Sequence, residues 1–209
     1  MSTSPRAYHH GDLRAALLAA AIDSLETGGD FSLRAVARRA GVSAAAPYRH
    51  FADREALESA VAVEGLHDLR AALREAVDAV GTDAGVDTDD AVGELQALAV
   101  AYVSFALRRP AVFRLMFGRE CDTEDTLRVE AAQQVRDLLN GTVTRLFPEA
   151  DADDAASAQA TPLATALWGL AHGLAFLHVD GKLPPHPAAE VDRRVRDAVA
   201  AVLTVPRPA

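Results

Sequence analysis

The segment Phe31–Phe51, which reads FSLRAVARRAGVSAAAPYRHF, constrains the fold of this chain more than any other segment. Apolar residues recur at helical spacing over Leu33–Ala40, and Ser32 is placed to cap the first backbone N–H groups of that helix. Gly41 is typical of a helix end, and Ser43 is a second N-cap candidate, so a new helix can begin within about three residues. Two short helices joined by a tight turn predict a helix-turn-helix motif, which can place its second helix in a DNA major groove.

The second motif helix carries groups that can contact DNA. Pro47 lies in it, and proline removes a helix donor and clashes with the carbonyl four residues back. Counted from Ser43 as the N-cap, Pro47 falls in the first turn, so we expect the helix to survive, slightly tightened. Tyr48–His50 offer a hydroxyl, a cation and an imidazole to phosphate oxygens. Ala44–Ala46 have no hydrogen-bonding side chain, so base readout there should depend on close fit and on contact with thymine methyl groups.

Positive charge is concentrated at this motif. Between residues 34 and 54, five arginines (34, 38, 39, 49 and 54) minus one acid, Asp53, give +4, whereas the whole chain carries −9. The acidic remainder repels a polyanion, so DNA should contact the N-terminal end only. A solvated helix face would explain the same arginines. The residues predicted to contact DNA are Arg34, Ser43, Ala44, Ala45, Ala46, Pro47, Tyr48, Arg49, His50 and Arg54.

Amphipathic helices are predicted on both sides of the motif. An apolar stripe from Leu13 to Leu25 ends at Gly28, and this helix should pack across the motif. After the motif, Asp53 is placed to cap a long helix whose apolar pattern continues to Val77. We therefore predict a DNA-binding domain over residues 1–56 and a second domain over residues 57–209.

The ordered set FSLRAVARRAGVS, PYRHF and DREAL resembles the DNA-binding domain of the tetracycline-repressor (TetR) family of bacterial transcription regulators. The resemblance runs from about Leu13 to Leu57 and rests on the whole set. It implies a regulator in which the fourth helix connects the DNA-binding domain to a ligand domain. The alanines and the proline of the second motif helix differ from the polar residues common in relatives, which leaves the operator sequence open.

The rest of the chain is predicted to be helical. Glycines and acids over 81–90 and an acidic stretch over 148–154 break the periodicity and indicate linkers. No stretch alternates as a strand would, so we predict an all-α fold. The resemblance implies its arrangement: an N-terminal three-helix helix-turn-helix domain linked by a long helix to a C-terminal helical ligand-binding and dimerisation bundle. The C-terminal helices are expected at residues 92–107, 111–117, 126–147, 160–179 and 191–203.

A second motif, ALWGLAHGLAFL, occupies residues 166–177. Trp168 and His172 lie four apart and share one helix face, and Gly169 and Gly173 repeat that spacing beside them. Each glycine costs a helix about 1 kcal/mol, so either a partner helix or a ligand should approach this backbone closely. The W-G-x-x-H-G pattern is similar to the tryptophan-histidine-glycine (WHG) type of C-terminal domain within the TetR family. An ordinary core pair, with the imidazole bound to a carbonyl, would explain Trp168 and His172 as well.

Large apolar groups around this second motif predict a pocket. Apolar walls with one or two polar groups suit a small hydrophobic effector, although the same side chains could form plain core. The last two helices are each apolar along one side, so we expect them to form the interface of a homodimer, whose twofold symmetry matches a palindromic operator. The residues predicted to bind the effector are Tyr102, Phe105, Phe113, Met116, Phe117, Trp168 and His172.

Other classes of function have little support. The sequence has no GxxxxGK phosphate loop, serine elbow, HExxH motif or cysteine pair, which argues against an enzyme. We predict no cofactor and no metal, because His9, His10 and Asp12 cluster on a short arm without distant ligands. The single cysteine, Cys121, fits a reducing cytoplasm, and residues 1–8 resemble neither a secretion signal nor a membrane anchor.

The sequence therefore predicts a cytoplasmic, homodimeric, DNA-binding transcription regulator without a membrane partner. A repressor released by a small hydrophobic effector is the favoured mechanism. One alternative stays open, a helical module that binds a small molecule or a protein and never touches DNA. The net acidity and the alanine-rich second motif helix permit it.

Overall fold

A computed structural model describes residues 10–80, 88–118, 125–146, 155–185 and 187–204 of the 209-residue chain. This described part contains helices and no strands, which confirms the predicted all-α class. Its α-helices are α1 (His10–Glu26), α2 (Leu33–Arg39), α3 (Arg54–Asp78), α4 (Thr88–Arg108), α5 (Pro110–Phe117), α6 (Thr126–Thr144), α7 (Ala155–Val179) and α8 (Ala188–Thr204), and a 3₁₀ helix covers Pro47–Arg49.

The described residues form two compact units. Unit 1 comprises those within Met1–Gly65 and Ala111–Arg128, and unit 2 comprises those within Leu66–Pro110 and Val129–Ala209. The boundary after Gly65 falls inside α3, so that helix contributes residues to both units. Helix α5, apart from its first residue Pro110, belongs to unit 1 although it follows α4 in the chain. This division describes packing, and the functional boundary between residues 56 and 57 stays a prediction.

In unit 1, the first motif helix and its turn form as predicted. The Ser32 hydroxyl accepts a hydrogen bond from the Ala35 backbone N–H at 3.2 Å, which confirms the N-cap of α2. Gly41 adopts φ +70°, a left-handed conformation that glycine enters without steric cost. The Val42 N–H consequently reaches the Ala37 carbonyl oxygen at 3.0 Å and satisfies it at the helix end. Backbone hydrogen bonds thus fix the direction in which the chain leaves α2.

The second motif helix differs from the prediction. We expected a short, slightly tightened helix capped by Ser43, but the structure has turns followed by the 3₁₀ helix Pro47–Arg49, with Ala46 at its cap position. The helix is tight, as expected, but it begins later and is shorter. The first α-helical hydrogen bond of the expected helix would run from residue 47 to the Ser43 carbonyl, and proline has no N–H. That carbonyl oxygen instead accepts from the Ala46 N–H at 3.0 Å, which is the shorter-range bond of a tighter helix.

Helix α5 is held in unit 1 by two contacts. The Glu26 carboxylate accepts hydrogen bonds from the Val112 N–H at 3.0 Å and the Ala111 N–H at 3.3 Å, and so satisfies free donors at the start of α5. A Cβ atom on Gly65 would lie 2.7 Å from both Met116 Sδ and Val112 Cγ1. Side chains of α5 therefore pack directly on the α3 backbone, and a residue larger than glycine would have to displace the Met116 and Val112 side chains.

Helix α4 lies at the centre of unit 2, where it packs against α7 and α8. Leu95 and Val103 on α4 are almost completely buried. Helix α8 buries Val191, Val195 and Val199, which are four residues apart and so form one stripe. The predicted amphipathic pattern of the last helix is confirmed, and its apolar side is covered within the chain.

Most helix boundaries fall within a few residues of the predicted ones. Helix α4 begins at Thr88, so residues 88–90, predicted as linker, are helical; acidic residues are common in the first turn of a helix. Helix α7 begins at Ala155 and contains Pro162. Several sequence predictions lie outside the described residues: the linker segments 81–87 and 148–154, Cys121, and the N-terminal residues 1–9.

Two helices are long and apolar enough to cross a membrane by length and composition alone. These stretches are Ala91–Arg108 in α4, of which 50% is buried, and Pro162–Val179 in α7, of which 22% is buried. A core helix of a soluble protein passes the same test, and α4 occupies that position in unit 2. The low burial of α7 leaves much of its apolar surface uncovered within one chain.

Replacing Glu26 by alanine should lower the free energy of unfolding by about 1–2 kcal/mol, because two N–H groups of α5 lose a charged acceptor. Glu26→Gln keeps one acceptor oxygen and should lose less. Urea denaturation followed by circular dichroism measures both variants. The matched control is Glu130→Ala, at an exposed position of α6; an equal loss in that control would contradict the role given to Glu26.

Candidate functional site

The helix-turn-helix motif presents several of the predicted contact residues to solvent. Tyr48 is 52% exposed, and the side chains of Arg34 and Arg49 are exposed as well. Ala44 and Ala45 lie on the surface just before the 3₁₀ helix. A hydroxyl, two cations and two methyl groups are thus accessible on unit 1. Among the other predicted contacts, Ser43 and Arg54 are exposed, Ala46 and His50 are half-buried, and Pro47 is buried.

Some of the arginines between residues 34 and 54 form ion pairs with acidic side chains. Arg39 pairs with Asp23, and Arg54 Nε lies 2.8 Å from Glu58 Oε1. Such surface pairs contribute little stability and can exchange for another anion. Arg38 was counted in the charge of the segment and not among the predicted contacts. The exposed arginines of the segment that make no ion pair with any described residue are Arg34, Arg38 and Arg49.

Phe51 anchors the end of the motif, as the sequence predicted. Its side chain is buried in unit 1. The Arg14 guanidinium of α1 lies 5.7 Å from the Phe51 ring centroid, which is the distance of a cation–π contact. The His50 ring centroid lies 6.4 Å from the same ring. Helix α1 thereby supports the residues that follow the exposed Tyr48.

A cavity of about 230 Å³ lies within unit 2. Five helices contribute to its wall: α3, α4, α6, α7 and α8. Most of the lining is apolar, and the described side chains that line it include no carboxylate. A concave, mostly apolar site with a few polar groups is typical of small-molecule binding. Its apolar wall includes Leu73, Leu95, Leu98, Leu139 and Val199.

Tyr102 connects the cavity wall to the Trp–His pair of the second motif. Its hydroxyl oxygen lies 2.8 Å from Nδ1 of His172 and also accepts a hydrogen bond from the Trp168 indole. Which of the two groups donates in the Tyr102–His172 hydrogen bond depends on the tautomer of the imidazole. The structure thus shows a tyrosine hydroxyl as one hydrogen-bond partner of this imidazole.

Burial favours the uncharged forms of Tyr102 and His172. Burial raises the pKa of Tyr102 above its usual range, and the Trp168 hydrogen bond opposes that shift. Burial also lowers the pKa of His172. Both shifts favour the neutral forms, because a charge is less well solvated inside the protein than in water.

The structure brings together only some of the residues predicted to bind an effector. Tyr102 and Trp168 line the cavity, and His172 contacts Tyr102 without lining the cavity itself. Phe105 is buried in unit 2 outside the cavity wall. The other three predicted residues, Phe113, Met116 and Phe117, belong to α5 and pack in unit 1. The ring centroids of Phe113 and Phe117 lie 5.0 Å apart.

Sequence reasoning missed the part that α6 takes in this cavity. The helix supplies Val135, Arg136, Leu139 and Asn140 to the wall. These residues form two pairs spaced four apart, so they share one helix face. The spacing is visible in the sequence, but nothing local indicates that this face lines a cavity with α4 and α7.

Two family models match this chain. The model described as "Bacterial regulatory proteins, tetR family" matches residues 17–61, which include the helix-turn-helix motif. The model described as "Tetracyclin repressor-like, C-terminal domain" matches residues 95–202, which include most of the cavity wall. The second match alone covers more than half of the chain.

Known proteins resemble this chain in sequence and in fold. An uncharacterized HTH-type transcriptional regulator of Haemophilus influenzae is 30% identical over 141 residues, which cover 65% of this chain and 63% of that protein. The chain thus spans less than two thirds of that relative. A protein with unknown function from Rhodococcus sp. RHA1 is 38% identical, with a TM-score of 0.75 over 93% of this chain and 96% of that one. The TetR-family regulator PfmR of Thermus thermophilus is 16% identical and shares the fold, with a TM-score of 0.59 and 100% of both chains covered.

The stability of the protein should fall as the pH drops below about 6.5, the ordinary pKa of histidine. The pKa of His172 is lower in the folded state, so the unfolded chain binds the proton first and unfolding is favoured in that window. Melting temperatures of wild type and His172→Gln between about pH 5 and pH 7.5 measure this. The variant should show a weaker pH dependence. His67→Gln, at an exposed position of α3, is the control; if both variants keep the wild-type dependence, His172 is not its source.

Proposed function

Because this chain belongs to the TetR family of bacterial transcriptional regulators, we propose that it binds a palindromic operator as a homodimer and represses transcription until a small hydrophobic effector releases it. The family consists of DNA-binding regulators and is not a family of enzymes. The observation that carries the proposal is the exposure of Tyr48 and Arg49 on the 3₁₀ helix of the motif. A cytoplasmic location follows from this role.

The motif would contact DNA in two ways. Tyr48, Arg49 and Arg34 would bind phosphate oxygens and fix the position of the motif on the duplex. The exposed methyl groups of Ala44 and Ala45 would approach base edges and contact thymine methyl groups. A 3₁₀ helix of three residues presents few side chains to a groove. We therefore expect specificity to rest on few direct contacts and on the shape of the DNA.

We propose that residues 1–56 bind DNA and that residues 57–209 bind the effector and form the dimer. Helix α3 contributes to both packing units, since it buries Leu57 in unit 1 and places Leu73 in the cavity wall of unit 2. We propose that a shift of this helix carries the effector signal. An effector can cause such a shift only if it binds one conformation of the dimer more tightly than the other.

Uncovered apolar surface on α7 supports a homodimer. Trp168 is 39% exposed and Leu177 is 43% exposed. For Gly169 and Gly173, a Cβ atom would meet nothing within 4 Å beyond the backbone of α7 itself. The close approach that the paired glycines predict therefore does not come from the described residues of the same chain. A second copy of α7 across a twofold axis would supply it.

Helix α8 contributes less apolar surface to the proposed interface than α7 does. Its apolar stripe of Val191, Val195 and Val199 is already buried within the chain. The exposed positions of α8 include Arg193 and Arg196. We therefore assign the apolar centre of the dimer contact to α7 and a polar rim to α8, an arrangement common at protein interfaces.

Arg49→Ala should weaken binding to operator and random DNA alike and reduce the salt slope of binding by about 1, because one phosphate contact is lost. Tyr48→Ala combined with Arg49→Ala should reduce affinity by at least about tenfold. Fluorescence anisotropy with DNA from next to the coding region, titrated with salt, measures both. Arg108→Ala, at an exposed arginine of α4 that has no part in the proposed DNA or dimer contacts, is the matched control.

Unchanged binding by the double variant would remove the motif from the proposed interface. If the wild-type protein binds neither this DNA nor any sequence selected from a random pool, the regulator itself is ruled out. The DNA-independent helical module would then be the better explanation. Circular dichroism of each variant separates loss of contact from loss of fold.

Combining Gly169→Leu with Gly173→Leu should convert the dimer to monomers, because two bulky side chains would hold the α7 helices apart. Size-exclusion chromatography with light scattering gives the mass directly. Gly141→Leu is a matched control, since Gly141 is an exposed helical glycine at which a Cβ atom would likewise meet nothing within 4 Å. A double variant with the mass of a dimer would place the interface elsewhere.

A further inference from the structure

The polar side of the unit 2 cavity carries a single charge. Arg136 is the one charged side chain among the described residues that line it, and these include no aspartate or glutamate. No described residue forms an ion pair with Arg136. Its Nε and Nη2 atoms donate to Gln133 Oε1 at 3.2 and 2.8 Å, and the Gln133 amide donates to Asp137 at 2.7 Å. Since a guanidinium has five N–H donors, Gln133 leaves several of them for a further acceptor.

Asn140 adds a neutral polar group beside this charge. It lies four residues after Arg136, so both side chains stand on one face of α6. Both are exposed, whereas Leu95 and Leu98 on the α4 side of the cavity are almost completely buried. The cavity therefore has a buried apolar interior and a rim, on α6, that offers one cation and one amide.

We infer that the effector is a small amphipathic acid whose apolar body fills the interior and whose carboxylate binds Arg136 and Asn140. This inference rests on the proposed function, which supplies the premise that the cavity holds an effector. A volume of about 230 Å³ lies slightly below the usual range for ligand pockets, about 300–1,000 Å³. The body is accordingly a single ring or a short alkyl chain, and a cationic ligand is disfavoured by Arg136.

The two parts of the cavity have different tasks. Affinity comes mainly from the apolar interior, because removal of hydrocarbon from water is the larger favourable contribution. An ion pair at an exposed arginine is weakened by solvent, but a planar guanidinium can bind a carboxylate through two parallel hydrogen bonds. Arg136 therefore discriminates an acid from its neutral analogue and does not by itself hold the ligand.

The test compares octanoate with octan-1-ol, which have the same carbon chain and differ in the charged group. Isothermal titration calorimetry on the full chain, below the concentration at which octanoate aggregates, gives both dissociation constants. Octanoate should bind at least about fivefold more tightly than the alcohol, and Arg136→Gln should remove that difference. Arg136→Lys should keep part of it. Arg74→Gln, at an exposed arginine of α3 outside the cavity wall, should bind both probes as the wild type does.

Equal affinity for the acid and the alcohol, an unchanged preference in Arg136→Gln, or no binding of octanoate would each overturn the inference. These measurements contain no DNA, so they are independent of operator binding. If octanoate binds through Arg136 but leaves a protein–operator complex intact, the site is correct and the proposed release mechanism fails. If operator binding is found and octanol binds as well as octanoate, the regulator stands and its effector is neutral.

Discussion

The need to cover two strongly apolar helices, α4 and α7, determines the arrangement of unit 2. Helix α4 is covered on two sides by α7 and α8, and its large side chains are buried. Helix α7 covers α4 with one face only and leaves Trp168 and Leu177 exposed. Trp168 also lines the cavity, so the cavity and the proposed dimer surface meet at this residue. Ligand binding and association can influence each other through α7, because a rigid helix cannot shift on one face alone.

The arrangement of unit 1 depends on other interactions. Backbone hydrogen bonds and single close contacts determine the positions of its short elements. Gly41 directs the chain out of α2, Pro47 imposes the tight second helix, and Gly65 admits α5 against α3. None of these positions needs a large buried side chain. The exposed surface can consequently consist of small residues around Tyr48 and Arg49 without loss of the motif geometry.

How much could be predicted from sequence depended on the distance over which each interaction acts. The Ser32 cap and the turn at Gly41 involve residues within a few positions of each other, and both predictions were correct. The start of the second motif helix was predicted wrongly: the missing N–H of Pro47 was taken to be harmless in the first turn, but the helix begins only at Pro47. The pocket prediction placed α5 residues beside Trp168, but α5 packs in unit 1 through the distant Glu26. Arg136 was missed because only the assembled helices show which face of α6 lines the cavity.

The position of Trp168 has a practical consequence. It is the single tryptophan of the chain, it lines the cavity, and its ring centroid lies 5.8 Å from that of His172. Nearly all ultraviolet emission of the protein excited at the indole band therefore originates at one place in unit 2. A molecule that enters the cavity changes the surroundings of the Trp168 indole, and with them the wavelength and the intensity of its fluorescence. Intrinsic tryptophan fluorescence therefore reports whether the cavity is occupied, without an attached dye.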